Sequence, residues 1–330
     1  MVDSIGTLLS LTTFGESHGP AMGGVLTGVP SGAPVSLERL QAFVDRRRAS
    51  GAHATARHEA DRVEILSGIY EGVTLGTPVG FLVRNDDVRS ADYQLWADAY
   101  RPGHADYTYE AKFGLRDWRG GGRASARETV ARVVAGGIAV QILERLGVTV
   151  SSEVSQIGTA TDADSMRRQL DQARAEGDSL GGIITCTIAG VKAGVGEPTF
   201  GKLQSRLAAA MFTIPAVKGF DYGMGFAGAA ARGSEVIDRF LPDFTTAANH
   251  SGGIQGGISN GADIYFRVAF KPVATMMRPI DTVDRHGREI TVEPRGRHDV
   301  CVVPRAAVVV ESMAALTILD AILLNRSSRL

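Results

Sequence analysis

Apolar residues at Leu37, Leu40, Phe43 and Val44 keep the three-and-four spacing of one helical face. They predict a helix from Ser36 to about Arg47, with Arg46, Arg47 and Arg48 at its C-terminal end, where the helix dipole favours positive charge. Periodicity then vanishes: residues 49–62 are small and polar and read as a loop carrying Arg57 and His58. Strands are predicted at 63–70 and 78–84. From Asn85 to Gly122 there is little period but many aromatics, among them Tyr93, Trp96, Tyr100, Tyr107, Tyr109 and Trp118. A long irregular stretch inside a compact domain is usually functional.

The clearest helix is predicted from Ser125 to about Leu146, opened by an S-x-x-E capping box at Ser125-Ala126-Arg127-Glu128. A strand is expected at Val148–Ile157, a helix at Asp164–Ala175 stopped near Gly177, a buried strand at Gly182–Val191 and a helix at Leu203–Thr213. Ile264, Phe266, Val268 and Phe270 alternate along 262–270, so one face of that sheet meets the core. The last helix, roughly Val310 to Asn325, is apolar on two sides and calls for burial, plausibly between sheets. Strand pairs segregated from long helices favour an α+β fold. No repeat and no linker composition divides the chain, so residues 1–330 read as a single domain.

Composition narrows the function. The 330 residues are 44% hydrophobic and 22% charged, with 35 Lys and Arg against 36 Asp and Glu. A balance this even argues against general affinity for nucleic acid or anionic membrane, so any anion site must be local. The two cysteines, Cys186 and Cys301, sit in apolar runs and read as buried free thiols of a reducing, cytoplasmic protein. No signal peptide is evident, and no apolar segment is expected to reach the roughly 18 residues that span a membrane. Glycine is the outlier, 40 residues clustered as at 120–122, 252–253 and 256–257, suiting tight turns or close backbone approach to a ligand.

Three features bear on chemistry. Gly120-Gly121-Gly122-Arg123-Ala124-Ser125 places glycines, arginine and a helix start together, a credible cradle for phosphate or carboxylate. Gly196 to Lys202 matches the G-x-x-x-x-G-K spacing of a P-loop, but Leu203 follows where a hydroxyl should hold magnesium and Pro198 stiffens the loop, so nucleotide hydrolysis is a poor reading. Three of the seven histidines have distinctive settings: His18 after Gly-Glu-Ser, His104 after Pro-Gly, and His298 between Arg297 and Asp299. No His-x-x-x-His or Cys/His spacing appears, which disfavours a metal centre.

Taken in order, Thr12-Thr13-Phe14-Gly15-Glu16-Ser17-His18-Gly19, Asp45-Arg46-Arg47-Arg48, Arg101-Pro102-Gly103-His104-Ala105-Asp106, Gly120 to Glu128, Asn249-His250-Ser251-Gly252-Gly253-Ile254, Lys271-Pro272 and Gly296-Arg297-His298-Asp299 span nearly the whole chain. Together they resemble the chorismate synthase family. The resemblance implies a β-α-β sandwich, with helices between antiparallel sheets, assembled as a homotetramer. It also implies the last step of the shikimate pathway: 1,4-anti elimination of phosphate from 5-enolpyruvylshikimate 3-phosphate (EPSP) to give chorismate, with reduced FMN required despite no net redox change. Under it, His18, His104 and Asp299 are the catalytic candidates. His18 would be the acid toward the departing phosphate, His104 would sit by the reduced flavin, and Asp299 would relay its proton. Substrate contacts fall to Ser17, Arg47, Arg101, Ser125, Arg127 and Arg297. Cofactor contacts fall to Arg47, Arg123, Ala124, Ser125, Pro215, Ala216, Gly256, Lys271, Pro272, Val273, Ala274, Thr275 and Arg297. Many members carry Asn where Pro215 stands and hydroxyls where Val273 and Ala274 stand, which leaves backbone groups to make those bonds. Arg57 is the candidate for a second arginine of the 49–62 loop. The flavin would arrive reduced by a separate donor or through an intrinsic NADPH-dependent step, and the sequence leaves both open. An RNA-binding protein using Arg46–Arg48 is the other alternative, disfavoured by the charge balance.

Overall fold

The computed structural model describes residues 3–48, 61–86, 90–294 and 299–329. Its elements run β1 (Ser4–Ile5), β2 (Ser10–Gly15), β3 (Ala21–Thr27), α1 (Leu37–Asp45), β4 (Val63–Ile65), β5 (Ile69–Tyr70), β6 (Val73–Thr74), β7 (Val79–Arg84) and α2 (Asp106–Phe113). They continue with α3 (Thr129–Arg145), β8 (Thr149–Ile157), α4 (Ala163–Ala175), β9 (Gly182–Ala189), α5 (Leu203–Phe212), β10 (Val217–Tyr222), β11 (Ile254–Gln255), β12 (Ile258–Ser259), β13 (Ile264–Phe270), β14 (Ile280–Val283), β15 (Glu289–Val292) and α6 (Val303–Asn325).

Two antiparallel sheets enclose a helical layer. The first has strand order β1-β2-β3-β7-β4 and the second β10-β13-β9-β8. Between them α3 packs on β2, β3 and β7, α6 packs on β8 and β9, and the two helices pack on each other. This is the expected α+β sandwich with helices held between antiparallel sheets. Alternation explains the outer layers: β9 and β13 bury every second residue, including Ile184, Cys186, Ile188, Phe266 and Val268. The central helices need burial all round. Both are apolar on every side, as a helix with no solvent face must be.

Several expectations change on inspection. The final helix begins at Val303, not Val310; with 23 residues, and a mean hydropathy of 2.1 in its most apolar 18-residue window, it is long and apolar enough to cross a bilayer, contrary to the length argument above. Most of it, 78% of its most apolar window, is covered by this protein's own sheets and helices. The strand at 63–70 is two short strands in different sheets, and α2 lies inside the segment read as irregular. Ser125 does not cap α3 directly. It caps a short 3-10 turn, Ala126–Glu128, by accepting from the Arg127 amide, and Glu128 bonds Thr13 and Arg132 instead of reaching back. Most of the loop at 49–62, with Arg57 and His58, lies outside the described residues.

The α3–α6 contact is tight at one point. A Cβ on Gly136 would lie 2.2 Å from Ser312 Cβ and 2.5 Å from Ser312 Cα, which no relaxation of a flexible tip can relieve. Glycine to alanine inside a helix is ordinarily worth about 0.5–1 kcal/mol in favour of alanine, whereas overpacking a dense core costs about 1–3 kcal/mol. The steric effect therefore decides the sign. Gly136→Ala is expected to lower Tm, and Ser312→Gly in the same chain to restore part of the loss, read by thermal denaturation.

Candidate active site

The N-terminal ends of α3 and α6 open onto one cavity of about 650 Å³, with Thr129 of α3 and Val302, Arg305 and Ala306 at the start of α6 in its wall. Two helix beginnings bring positive dipole ends, a setting that favours anions. Charge amplifies the effect: among the described residues, seven Lys or Arg side chains and only three carboxylates line the cavity, in a chain of net charge −1. The positive field is local, as the composition required.

The glycine run separates two histidines. Gly120 and Gly121 have φ of +59° and +82°, and their missing side chains leave room for both rings. A Cβ at Gly120 would fall 2.3 Å from His18 Cδ2 and 2.8 Å from Ser17 Oγ, and one at Gly121 would fall 2.9 Å from His104 Cε1. His18 comes from the β2–β3 turn and stands edge-on to Tyr93, ring centroids 5.1 Å apart. Asn85 holds that turn by donating to the carbonyls of Glu16 and Gly19 at 3.0 and 2.8 Å. Ser17 Oγ is buried with no hydrogen-bond partner among the described residues, a polar atom beside the cavity that a bound oxyanion or hydroxyl would satisfy.

His104 belongs to a buried triad of side chains at the start of α2. Asp106 Oδ1 meets His104 Nδ1 at 3.2 Å, and both its oxygens accept from Arg101, Nε at 2.7 Å and Nη2 at 2.8 Å. Burial works to raise the Asp106 pKa, but the hydrogen bonds from Arg101 and His104 hold this carboxyl well below the ordinary range. For His104, burial and the positive charges of Arg101 and Lys271 outweigh Asp106 and push its pKa below 6.5. The ring is therefore neutral near pH 7, with Nδ1–H assigned to Asp106 and Nε2 left as the acceptor. Lys271 donates to the Gly103 carbonyl at 2.5 Å and fastens this turn to the strand-end segment opposite.

The arginines are held with equal care. Arg47 donates from Nε to Thr129 Oγ1 at 3.1 Å and from Nη2 to the Ala126 carbonyl at 3.0 Å. Arg127 donates to Asn85 Oδ1 at 2.9 Å and to the Arg84 carbonyl at 3.1 Å. Arg123 donates to Thr13 Oγ1 at 2.7 Å. Asp299, at the approach to α6, pairs with Arg305 at 2.7 Å, and Arg305 in turn donates to the Arg47 carbonyl. The remaining wall is apolar and backbone-rich: Pro215, Ala216, Pro272, Val273 and Ala274, with Thr275 at its edge. Ala216 adopts φ +71°, and its carbonyl accepts from the Lys271 amide at 2.9 Å.

Of the residues singled out in the sequence, His18, Arg47, Arg101, His104, Arg123, Ala124, Ser125, Arg127, Pro215, Ala216, Lys271 to Thr275 and Asp299 all line this cavity. Ser17 lies just behind it against Gly120. Gly256 does not line it and instead forms the turn between β11 and β12. Arg297 and His298 fall outside the described residues. Asp61, Asn85 and Asp106 were missed as functional groups. Asp106 carried a local signal, two positions after His104, whereas Asp61 and Asn85 act only through partners distant in sequence. The competing motifs find no support: Lys202 is remote from the cavity wall, and the arginine run is engaged internally, Arg46 with Glu311, Arg47 with Asp61 and Arg48 with Asp45.

The family model described as chorismate synthase matches residues 9–323. Proteins named chorismate synthase from Christiangramia forsetii and Bacteroides thetaiotaomicron are 49% and 47% identical, with 99% and 100% of this chain and 99% and 100% of those proteins covered. A crystal structure titled as chorismate synthase superposes with a TM-score of 0.76 at 28% identity, covering 97% of this chain and 93% of that one.

Asp106 is the one group beside His104 whose charge raises its pKa, so Asp106→Asn is expected to move His104 titration to still lower pH, read from its Cε1 proton by NMR. Because the unfolded chain binds this proton at higher pH than the folded one, stability is expected to fall as pH drops below 6.5. His104→Gln should flatten that part of the Tm-against-pH curve.

Proposed function

Because this chain belongs to the chorismate synthase family, we propose that EPSP and reduced FMN meet in the arginine-lined cavity between the starts of α3 and α6. The family's reaction, and that of this chain, is the elimination of phosphate from EPSP to give chorismate, with reduced FMN required; it is a carbon–oxygen lyase step of the shikimate pathway. The observation that carries the site assignment is the pair of imidazoles, buried His18 and half-buried His104, set against consecutive glycines of one loop.

The residues present suit the cofactor. An apolar wall of Pro215, Ala216, Pro272, Val273 and Ala274 suits a flat ring system, while Arg47, Arg123 and the Ser125 hydroxyl beside Ala124 suit a phosphate tail. Arg297 completes the resemblance set, and Gly256 is left out of it. When bound, reduced FMN would supply electron density to the substrate that assists phosphate loss.

The remaining steps belong to the chain. EPSP carries a phosphate and two carboxylates, and stripping water from them is unfavourable unless fixed cations replace it. Arg47, Arg101 and Arg127, with Arg297, would supply that charge, and the Ser17 and Ser125 hydroxyls would add neutral donors. His18 would protonate the leaving phosphate. Asp299, held by Arg305, would accept or relay the proton released from the substrate. His104, whose pKa the protein's own groups lower, would gain affinity for a proton as anionic ligands enter.

Four finer points belong to the same reading. The whole chain, 1–330, acts as one domain, supported by one large cluster of buried residues from Leu9 to Ala321, beside a small second cluster of Trp96, Ala99 and Val292. It assembles as a homotetramer, supported by large exposed apolar side chains such as Phe200, Phe226 and Phe244. It works in the cytoplasm, where its buried Cys186 and Cys301 stay reduced. Reducing equivalents come either from a separate donor or from NADPH.

Anaerobic incubation with EPSP and dithionite-reduced FMN, following chorismate absorbance and released phosphate, tests the activity. His18→Ala and His104→Ala are each expected to lower kcat by about 10²–10⁴ with flavin still bound; a wild-type rate removes that residue from the mechanism. Lys202→Ala should be indistinguishable from wild type. Light scattering should give about four times the 34.9 kDa chain mass, and NADPH oxidation without dithionite identifies the reductant.

A further inference from the structure

Asp61 is a buried carboxylate with no part in the steps above. It is 3% exposed and lies between two guanidinium groups. Its Oδ2 accepts from Arg47 Nη1 at 3.2 Å, and its Oδ1 pairs closely with Arg127 Nη1. The main chain holds it in place: Asp61 has φ +43°, a region that costs a non-glycine residue conformational energy, and its carbonyl accepts from Gln41 Nε2 at 3.1 Å. Both arginines line the cavity, whereas Asp61 does not.

The other hydrogen bonds of these arginines to described residues differ in kind from this one. Arg47 Nε and Nη2 and Arg127 Nε and Nη2 meet neutral acceptors: a hydroxyl, an amide and two backbone carbonyls. In each arginine, the Nη1 that faces Asp61 meets a full negative charge. Burial disfavours that charge, but Arg47 and Arg127 hold the Asp61 pKa below its ordinary value, so the carboxylate is ionised. An oxyanion entering the cavity must therefore share these guanidiniums with an anion already present.

We propose that Asp61 is a built-in counter-anion that keeps Arg47 and Arg127 side by side in the empty cavity and competes with the oxyanions of substrate and of product phosphate for them. The inference rests on the assignment of Arg47 and Arg127 to the substrate site. Competition weakens the hold on phosphate, so the carboxylate favours release of this product. It also keeps two like charges together before any ligand arrives.

Inorganic phosphate is the probe, titrated calorimetrically into the full chain and followed in parallel by Tm. Asp61→Asn keeps the shape and removes the charge. It is expected to bind phosphate tighter by on the order of tenfold and to recover with phosphate most of the Tm it loses without it. A carboxylate that only props up the fold would lower Tm equally with and without phosphate and leave affinity unchanged or weaker, which overturns the proposal. If Asp61→Asn is insoluble in plain buffer it is prepared in phosphate throughout, where the anion should replace the missing carboxylate; failure to fold there overturns the proposal as well. Arg127→Ala separates the two levels. Loss of phosphate binding there with unchanged affinity in Asp61→Asn defeats the counter-anion alone, whereas unchanged binding in Arg127→Ala removes the site assignment and the proposal with it.

Discussion

The guanidinium groups of Arg47, Arg101 and Arg127 belong to residues at most 5% exposed, and a charge so far from bulk water persists only where fixed groups replace its hydration. Each has been given such a setting. Asp106 grips Arg101 through two oxygens, Asp61 stands between Arg47 and Arg127, and backbone carbonyls at Ala126 and Arg84 take further N–H groups. Removing one partner of a buried pair typically costs about 3–5 kcal/mol, a large share of a domain's net stability. Stability and ligand affinity thus draw on the same side chains.

The sandwich makes such a cavity possible. Two largely apolar helices are driven between the sheets, and there the positive ends of their dipoles face one cavity. Glycine at position 136 lets them approach closely, which brings the start of α3, with Thr129, near the start of α6, with Arg305. The loops from β2–β3, from the approach to α2 and from the end of β13 then complete the wall. No single loop holds the chemistry; the helix pair gathers it.

Much of this was legible beforehand. The alternation at 264–270 and the helical spacing at 37–44 gave correct elements because each has one buried face, which periodicity reports directly. The cavity residues His18, His104, Arg101 and Arg127 stood out by their glycine-bearing settings and by family resemblance, not by any periodic pattern. What escaped notice had no local signature. Helix α2 has no coherent apolar stripe and is anchored instead by Asp106 and its ion pairs. Helix α6 was read short because Val303 to Val309 mix proline and arginine with valine, and only its place between the sheets makes that stretch helical. Asp61 and Asn85 are ordinary polar residues at strand margins until the fold sets Arg127 beside them.

The strip of bare backbone at Gly120 and Gly121 serves two rings at once: a side chain added at the first would run into His18, and one added at the second would run into His104. Because the two glycines are consecutive, the space for both proton-handling groups depends on one short stretch of main chain. Their electrostatic settings remain separate, since Asp106 and Arg101 touch only the second ring's side of the cavity.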